Sequence, residues 1–251
     1  MRVKKGIDIS SYNVMIDYAK VASQIDYAIL RAGFTGHRTG ASLYKDKGFE
    51  LHYENFTQQK IPLGAYYYSC ADTADDARLE ADFLIKLLSG KQFAYPIYID
   101  VEDNYHQKKL SKAELSEVVK TFADRMEKAG YYVGVYANAY WWKNELDLDA
   151  LKHLDRWVAH YGVNTPGVQG EMWQYTENGY LAGYHGVLDL NYCYKDYPTI
   201  IQTAGLNGFA APAKPAEIMI KGVITGDDGT HKIDAIKRLM VILGFGSIEV
   251  T

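Results

Sequence analysis

The chain has 251 residues, 48% hydrophobic and 23% charged, with a formal net charge of −4; this is the balance of an ordinary globular protein with room for one large core and a smaller unit. The charges of residues 211–251 cancel, so the whole deficit lies in residues 1–210, the wrong sign for a surface that binds nucleic-acid phosphates. No apolar run approaches the roughly 20 residues of a membrane span, and the polar start of the chain lacks the apolar core of a secretion signal, so neither a membrane partner nor a signal peptide is expected.

Short β-rich runs over 5–10, 27–34, 62–69, 96–102, 132–138, 156–161, 171–175 and 186–192 alternate with helical patterns. The stretch 72–88 places Ala77, Ala81, Leu84, Leu87 and Leu88 on one side. The stretch 111–128 opens on Ser111 with Glu114 three residues later, which is a capping box, and Gly130 follows as a stop signal. Alternating strands and helices predict an α/β fold with a parallel sheet. Eight strands in about 200 residues predict an irregular (β/α) TIM-like barrel. Full βα units are expected only in the first five, because 161–171 and 175–186 are of loop length.

Residues 204–216 are small residues and proline, which is linker composition. The barrel is therefore expected over 1–203. Beyond the linker a strand at 217–224, a helix at 231–243 and a strand at 247–250 predict a small C-terminal α+β unit over 217–251. The helix would present Ile233, Ile236, Leu239, Met240 and Leu243 on one face. A unit of that size cannot cover such a face, so it is expected to associate with a copy of itself or to lack the remainder of its domain.

Cys70 and Cys193 are too few and too far apart for a disulfide framework and are expected as buried free thiols. The histidines are scattered, and HExxH, CxxC and P-loop patterns are missing, so no metal and no cofactor is expected. The 22 tyrosines against 8 phenylalanines and 4 tryptophans suit a cleft that is flat, apolar and hydrogen-bonding at once.

Acids recur at predicted strand ends: Asp8 in Gly-Ile-Asp-Ile-Ser, Asp100 and Glu102 in Tyr-Ile-Asp-Val-Glu, and Asp189 in Val-Leu-Asp-Leu-Asn. Side chains alternate along a strand, so Asp100 and Glu102 share one face while Ile99 and Val101 pack on the other. In a parallel barrel the C-terminal strand ends form the mouth, and the first and last strands are neighbours, so all four acids can converge there. Grouped like charges destabilise a fold unless something is gained. Cleavage of a glycosidic bond gains from such a group, because it needs a neutral acid and a nearby negative charge. Glu102, the longer and outermost acid, is the expected proton donor, with Asp100 behind it. The separation of these two along the strand, about 6.6 Å, leaves retaining and inverting geometries both open.

These segments carry a resemblance. With Tyr27-Ala-Ile-Leu-Arg31-Ala-Gly, Gly64-Ala-Tyr66-Tyr-Tyr68, Tyr136-Ala-Asn138 and Trp173-Gln174-Tyr175, the chain over about residues 5–200 resembles glycoside hydrolase family 25. These are the lysozymes typical of phage endolysins and of some bacterial and fungal muramidases. The resemblance implies Glu102 as general acid, Asp100 as the residue that positions the substrate's acetamido group or acts as base, and Asp8 and Asp189 as the other two acids. It implies that Tyr66 and Trp173 line the cleft, and Tyr68, Tyr136 and Asn138 join them as substrate-binding candidates. The implied substrate is bacterial peptidoglycan, cleaved between N-acetylmuramic acid and N-acetylglucosamine. The implied route is accumulation in the host cytoplasm and release to the wall through a separate membrane pore. Residues 217–251 would then be a wall-binding unit, truncated or complete.

Arg31 is expected to pair with an active-site acid, Asp103 to be solvated, and Trp141 and Trp142 to divide into one core residue and one surface residue. Two rival readings are weaker. A chitinase-like barrel carries Asp-x-x-Asp-x-Asp-x-Glu, but residues 96–99 are Pro-Ile-Tyr-Ile. An inactive barrel that only binds wall sugars predicts loss of Glu102 or Asp100, and both are present.

Overall fold

The computed structural model describes residues 2–13, 17–36 and 42–211. The chain divides into compact units over Met1–Pro212 and Ala213–Thr251; the predicted elements between 217 and 251 lie outside the described residues.

In chain order the elements are β1 (Lys4–Ile9), α1 (Tyr18–Ala22), β2 (Tyr27–Thr35), β3 (Leu43–Lys45), α2 (Phe49–Gln58), β4 (Leu63–Tyr68), α3 (Ala74–Leu88), β5 (Ile97–Asp100), α4 (Lys112–Lys128), β6 (Val133–Asn138), α5 (Ala139–Asn144), β7 (Asp155–Ala159), β8 (Met172–Gly179), β9 (Leu188–Cys193) and α6 (Tyr197–Ala204). Local signals start the two long helices: Thr73 caps α3 by accepting from Asp76 N–H, and Ser111 and Glu114 form the expected capping box on α4. Gly130 turns the chain out of α4 at φ 87°.

The sheet runs β1-β9-β8-β7-β6-β5-β4-β2, and pairing of β1 with β2 closes it into an eight-stranded barrel, with β3 added on β2. Five βα units come first, and the connections β7–β8 and β8–β9 carry no helix. Two strands depart from the parallel expectation, and the short β3 does so by pairing antiparallel on β2. β9 runs antiparallel to both β8 and β1.

Alternation divides the core in two. Outward residues such as Ile7, Leu30, Ile97, Ile99, Val133 and Val135 pack under the helices. Inward residues Tyr27, Ile29, Tyr98, Trp157, Met172 and Cys193 fill the barrel, closed at the N-terminal strand ends by Tyr95, Tyr197 and Ile201. The inward rings need space from neighbouring strands. A Cβ at Gly6 would stand 2.4 Å from the Tyr27 ring, and one at Gly134 would stand 2.4 Å from the Tyr98 ring. Below them Asn207, at φ 53°, seals the floor: its side chain accepts from Tyr132 N–H at 2.7 Å and donates to Tyr95 O at 2.9 Å. Cys70 and Cys193 are buried free thiols. Trp141 and Trp142 are both buried, so the expected division between core and surface does not occur; the short α5 turns both rings inward.

Candidate active site

The C-terminal strand ends enclose a cavity of about 220 Å³ lined by Asp8, Tyr66, Asp100, Glu102, Tyr136, Trp157, Tyr161, Gln174, Glu177 and Asp189. All four predicted acids meet there. A larger open concavity of about 760 Å³ lies at the other end, lined by residues such as Tyr53, Lys91 and Tyr131; none of the four acids lines it.

Asp189 reaches the mouth by a route other than the one expected. It is the second residue of β9, at the strand's start. A parallel β9 would have left it at the floor. Because β9 runs backwards, its start lies at the mouth, and Asp189 is the direct register partner of Asp8.

The acids are held unequally. Asp8, 4% exposed, receives two amide donors on Oδ2: Gln174 Nε2 at 2.9 Å and Asn191 Nδ2 at 2.7 Å. Both amides are oriented from behind. Gln174 Oε1 accepts from the hydroxyls of Tyr136 (2.8 Å) and Tyr161 (2.5 Å), and Asn191 Oδ1 accepts from Trp157 Nε1 at 2.8 Å. Their N–H groups therefore have to face Asp8. Burial pushes the Asp8 carboxyl up to about 6 against the pull of these donors. Asp189 goes further, to about 8, raised by burial and then by the charge of Asp8, with which it shares a hydrogen bond. The two carboxyls titrate as a pair, and the two amide donors favour the negative charge on the Asp8 side.

Asp100, also 4% exposed, is driven well above the ordinary carboxyl range by burial and by repulsion from Glu102 and Asp8. Its Oδ1 has no hydrogen-bond partner among the described residues. Glu102 stands just past the end of β5, half-buried. Burial and then the charge of Asp189 raise its carboxyl above the usual glutamate value. The arrangement brings carboxyls with raised proton affinity and one carboxyl fixed by two amides around one small cavity, a set that acid-catalysed glycoside cleavage can use.

A profile of the glycosyl hydrolases family 25 matches residues 7–184. The chain belongs to that family. Its fold is similar to that of the modular autolysin LytC of Streptococcus pneumoniae, with 30% identity and a TM-score of 0.67 over 77% of this chain and 47% of that one. It therefore spans about half the length of that autolysin. The CTP1L endolysin is 25% identical with a TM-score of 0.67, covering 79% of this chain and 69% of that one. The lysozyme of Streptomyces coelicolor shares the fold at 23% identity and a TM-score of 0.67, over 80% and 96%. A comparison with curated protein sequences returned no match.

In this family 25 barrel the substrate-binding candidates divide. Tyr66 and Tyr136 line the cavity; Tyr68, Trp173 and Asn138 do not. Tyr68 ends β4 beside Asp100, its register partner. Trp173 is one residue out of phase with the inward Gln174; its indole donates to His160 O at 2.8 Å and its ring lies against Tyr175 and Tyr192. Asn138 caps α5 by accepting from Trp141 N–H at 3.0 Å. Arg31 does pair with a buried acid, but with Asp46, at 2.7 Å, and not with any of the four. Asp103 is not solvated. It is fully buried and accepts from the backbone N–H groups of Tyr105, His106 and Gln107.

Trp157, Tyr161, Gln174, Glu177 and Asn191 line or brace the cavity and were not singled out in the sequence. Two of them carried a usable signal. Asn191 shares the face of Asp189 two residues on, and Gln174 stands beside Trp173 inside a segment already noted.

Proposed function

We propose that this chain hydrolyses the β-1,4 bond between N-acetylmuramic acid and N-acetylglucosamine in bacterial peptidoglycan, in the manner of a phage endolysin. The observation that carries this is the convergence of Asp8, Asp100, Glu102 and Asp189 on one small cavity with unequal proton affinities. Glu102 gives its proton to the leaving oxygen. Asp8, kept ionised by two oriented amides, supplies negative charge as the oxocarbenium centre forms. The Asp100 carboxyl, which lines the same cavity, positions the acetamido group of the substrate. Tyr66 and Tyr136 offer ring faces and hydroxyls to the sugars.

The substrate assignment is supported by family membership and by the pneumococcal autolysin, whose structure is known in complex with a synthetic peptidoglycan ligand. The endolysin role is supported by likeness to CTP1L. No helix among the described residues is long and apolar enough to cross a membrane, which fits accumulation in the host cytoplasm followed by release through a separate pore. We assign residues up to 211 to the catalytic barrel, because Asn207 is bonded into its floor and is not part of a free linker, and 217–251 to a wall-binding unit.

The test is digestion of purified cell walls, borohydride reduction and mass spectrometry of the products. Reduced N-acetylmuramic acid ends are expected. Reduced N-acetylglucosamine ends would make the enzyme a glucosaminidase, and wall binding without new ends would make the barrel a binder only.

A further inference from the structure

Behind the loop that carries Glu102 lies a second buried polar cluster. Glu80, on α3, is 1% exposed, and none of the groups that bond to it is a cation. Its Oε1 accepts from Thr35 Oγ1 at 2.6 Å and from Cys70 N–H at 3.1 Å, and its Oε2 accepts from Ser69 Oγ at 2.6 Å. Thr35 ends β2, and Ser69 follows β4 directly.

The bonds continue toward the site. Ser69 Oγ accepts from Gln107 Nε2 at 3.1 Å, and Gln107 Oε1 accepts from the N–H of Asp103 at 3.2 Å. Asp103 is the residue after Glu102. On the other side of Glu102, Val101 N–H donates to Tyr136 O at 2.9 Å. The backbone of Glu102 is therefore tied on one flank to β6 and on the other, through two side chains, to Glu80.

Proton directions show why a carboxylate stands at position 80. Ser69 Oγ already accepts from Gln107 and from Ala71 N–H at 3.2 Å, so its single hydrogen has to go to Glu80. Cys70 offers only an N–H, and Thr35 sends its hydrogen to Glu80 while the Tyr67 hydroxyl, 2.9 Å away, donates to it in turn. Three donors point at one side chain, and a carboxylate is the acceptor-only group that satisfies all three. A buried acid without a cation is costly, so a carboxylate at this position calls for a return beyond packing.

We infer that Glu80 is a positioning residue for Glu102: through Ser69 and Gln107 it fixes the backbone from which the proton donor reaches the scissile bond. The inference rests on Glu102 being the general acid. An isosteric Glu80→Gln turns an N–H₂ toward donors it cannot accept from and breaks the relay, and Gln107→Leu breaks it from the other end.

Both variants are expected to stay folded by circular dichroism and to lose about 10- to 100-fold in kcat on soluble muropeptide chains, the scale of a small misplacement of a catalytic group, with KM little changed. On a dinitrophenyl glycoside of the same glycan, whose leaving group needs no proton, both should recover most of the loss, as Glu102→Gln should. Amide hydrogen exchange over residues 101–107 should quicken in Glu80→Gln. Equal losses on both substrates, or an unchanged kcat with unchanged exchange, would overturn the inference. Absence of any wall cleavage by the unaltered protein would instead overturn the proposed function, while the exchange result still decides whether Glu80 holds the loop.

Discussion

The floor and the mouth of the barrel are built from the same strands and have opposite chemistry. β5 carries Tyr98 inward and then, two residues on, Asp100; β1 carries Gly6, which makes room for Tyr27, and then Asp8. At the floor Tyr27 and Tyr95 stack at 4.3 Å, and Tyr98 meets Trp157 edge-on at 5.0 Å. Burying such rings stabilises the fold by about 1.5–3 kcal/mol each. At the mouth four carboxyls are crowded until their proton affinities rise, which works against the fold. The boundary is one layer thick. Trp157 belongs to the floor by its ring and to the mouth by its indole N–H, which orients Asn191 toward Asp8. Stability and reactivity in this protein are thus separated along the barrel axis by one alternation of side chains.

That separation can be broken from either end. The largest effect is expected at the mouth: Glu102→Gln should lower wall lysis by at least about 100-fold, the scale of general acid catalysis, with folding intact. Near-normal lysis by this variant would remove the assignment. The floor should answer in the other currency. Tyr98→Ala should cost about 3–5 kcal/mol in chemical denaturation, while the activity of the molecules that remain folded stays close to normal at low temperature. A small cost would mean that the floor is not where the stability resides.

Asp189→Asn should reduce lysis and raise the melting temperature, because it removes a carboxyl that burial and the charge of Asp8 both disfavour; a drop in both would make Asp189 structural. The pH dependence of stability sharpens the same point. Burial, offset only in part by hydrogen bonds, raises Asp8 to about 6 and Glu80 to about 7, and burial together with Asp8 raises Asp189 to about 8. A folded state that holds protons more tightly than the unfolded chain gains stability as pH falls through those values. The melting temperature should therefore rise on acidification from about pH 8 toward about pH 5. Buried His52, whose value burial lowers, acts in the opposite sense at the acid end. A melting temperature that falls steadily over this range would contradict the assignment of these protons. The smallest effect is expected at Asn138→Ala, which should cost only the roughly 1 kcal/mol of a helix cap and leave lysis intact.

Much of the mouth was legible because a period of two is a strong signal: acids between aliphatic residues at strand ends could face only one way. The helix-poor side of the barrel was legible from loop length. The direction of β9 was also within reach, since eight residues between β8 and β9 are too few for the crossover that a parallel pair usually needs. Trp173 was expected at the cleft from the family resemblance, yet the phase of the strand turns its ring outward and Gln174 inward. Asp103 and Arg31 were illegible for a different reason. Their partners are set by how a loop folds back, and no local pattern announces that Asp103 will collect three backbone N–H groups or that Arg31 will find Asp46.

The reversed last strand has a consequence for how the chain enters and leaves the barrel. β1 starts at the floor, and β9, running backwards, ends there, so α6 and Asn207 follow at the same end, where Asn207 N–H donates to Gly130 O at 2.9 Å. Had β9 run parallel, the polypeptide would have emerged beside the acids and crossed the opening. As built, both ends of the described barrel emerge on the side away from the catalytic cavity. A label, a tether or a join between the two ends can be added there without standing in the path of a long glycan strand.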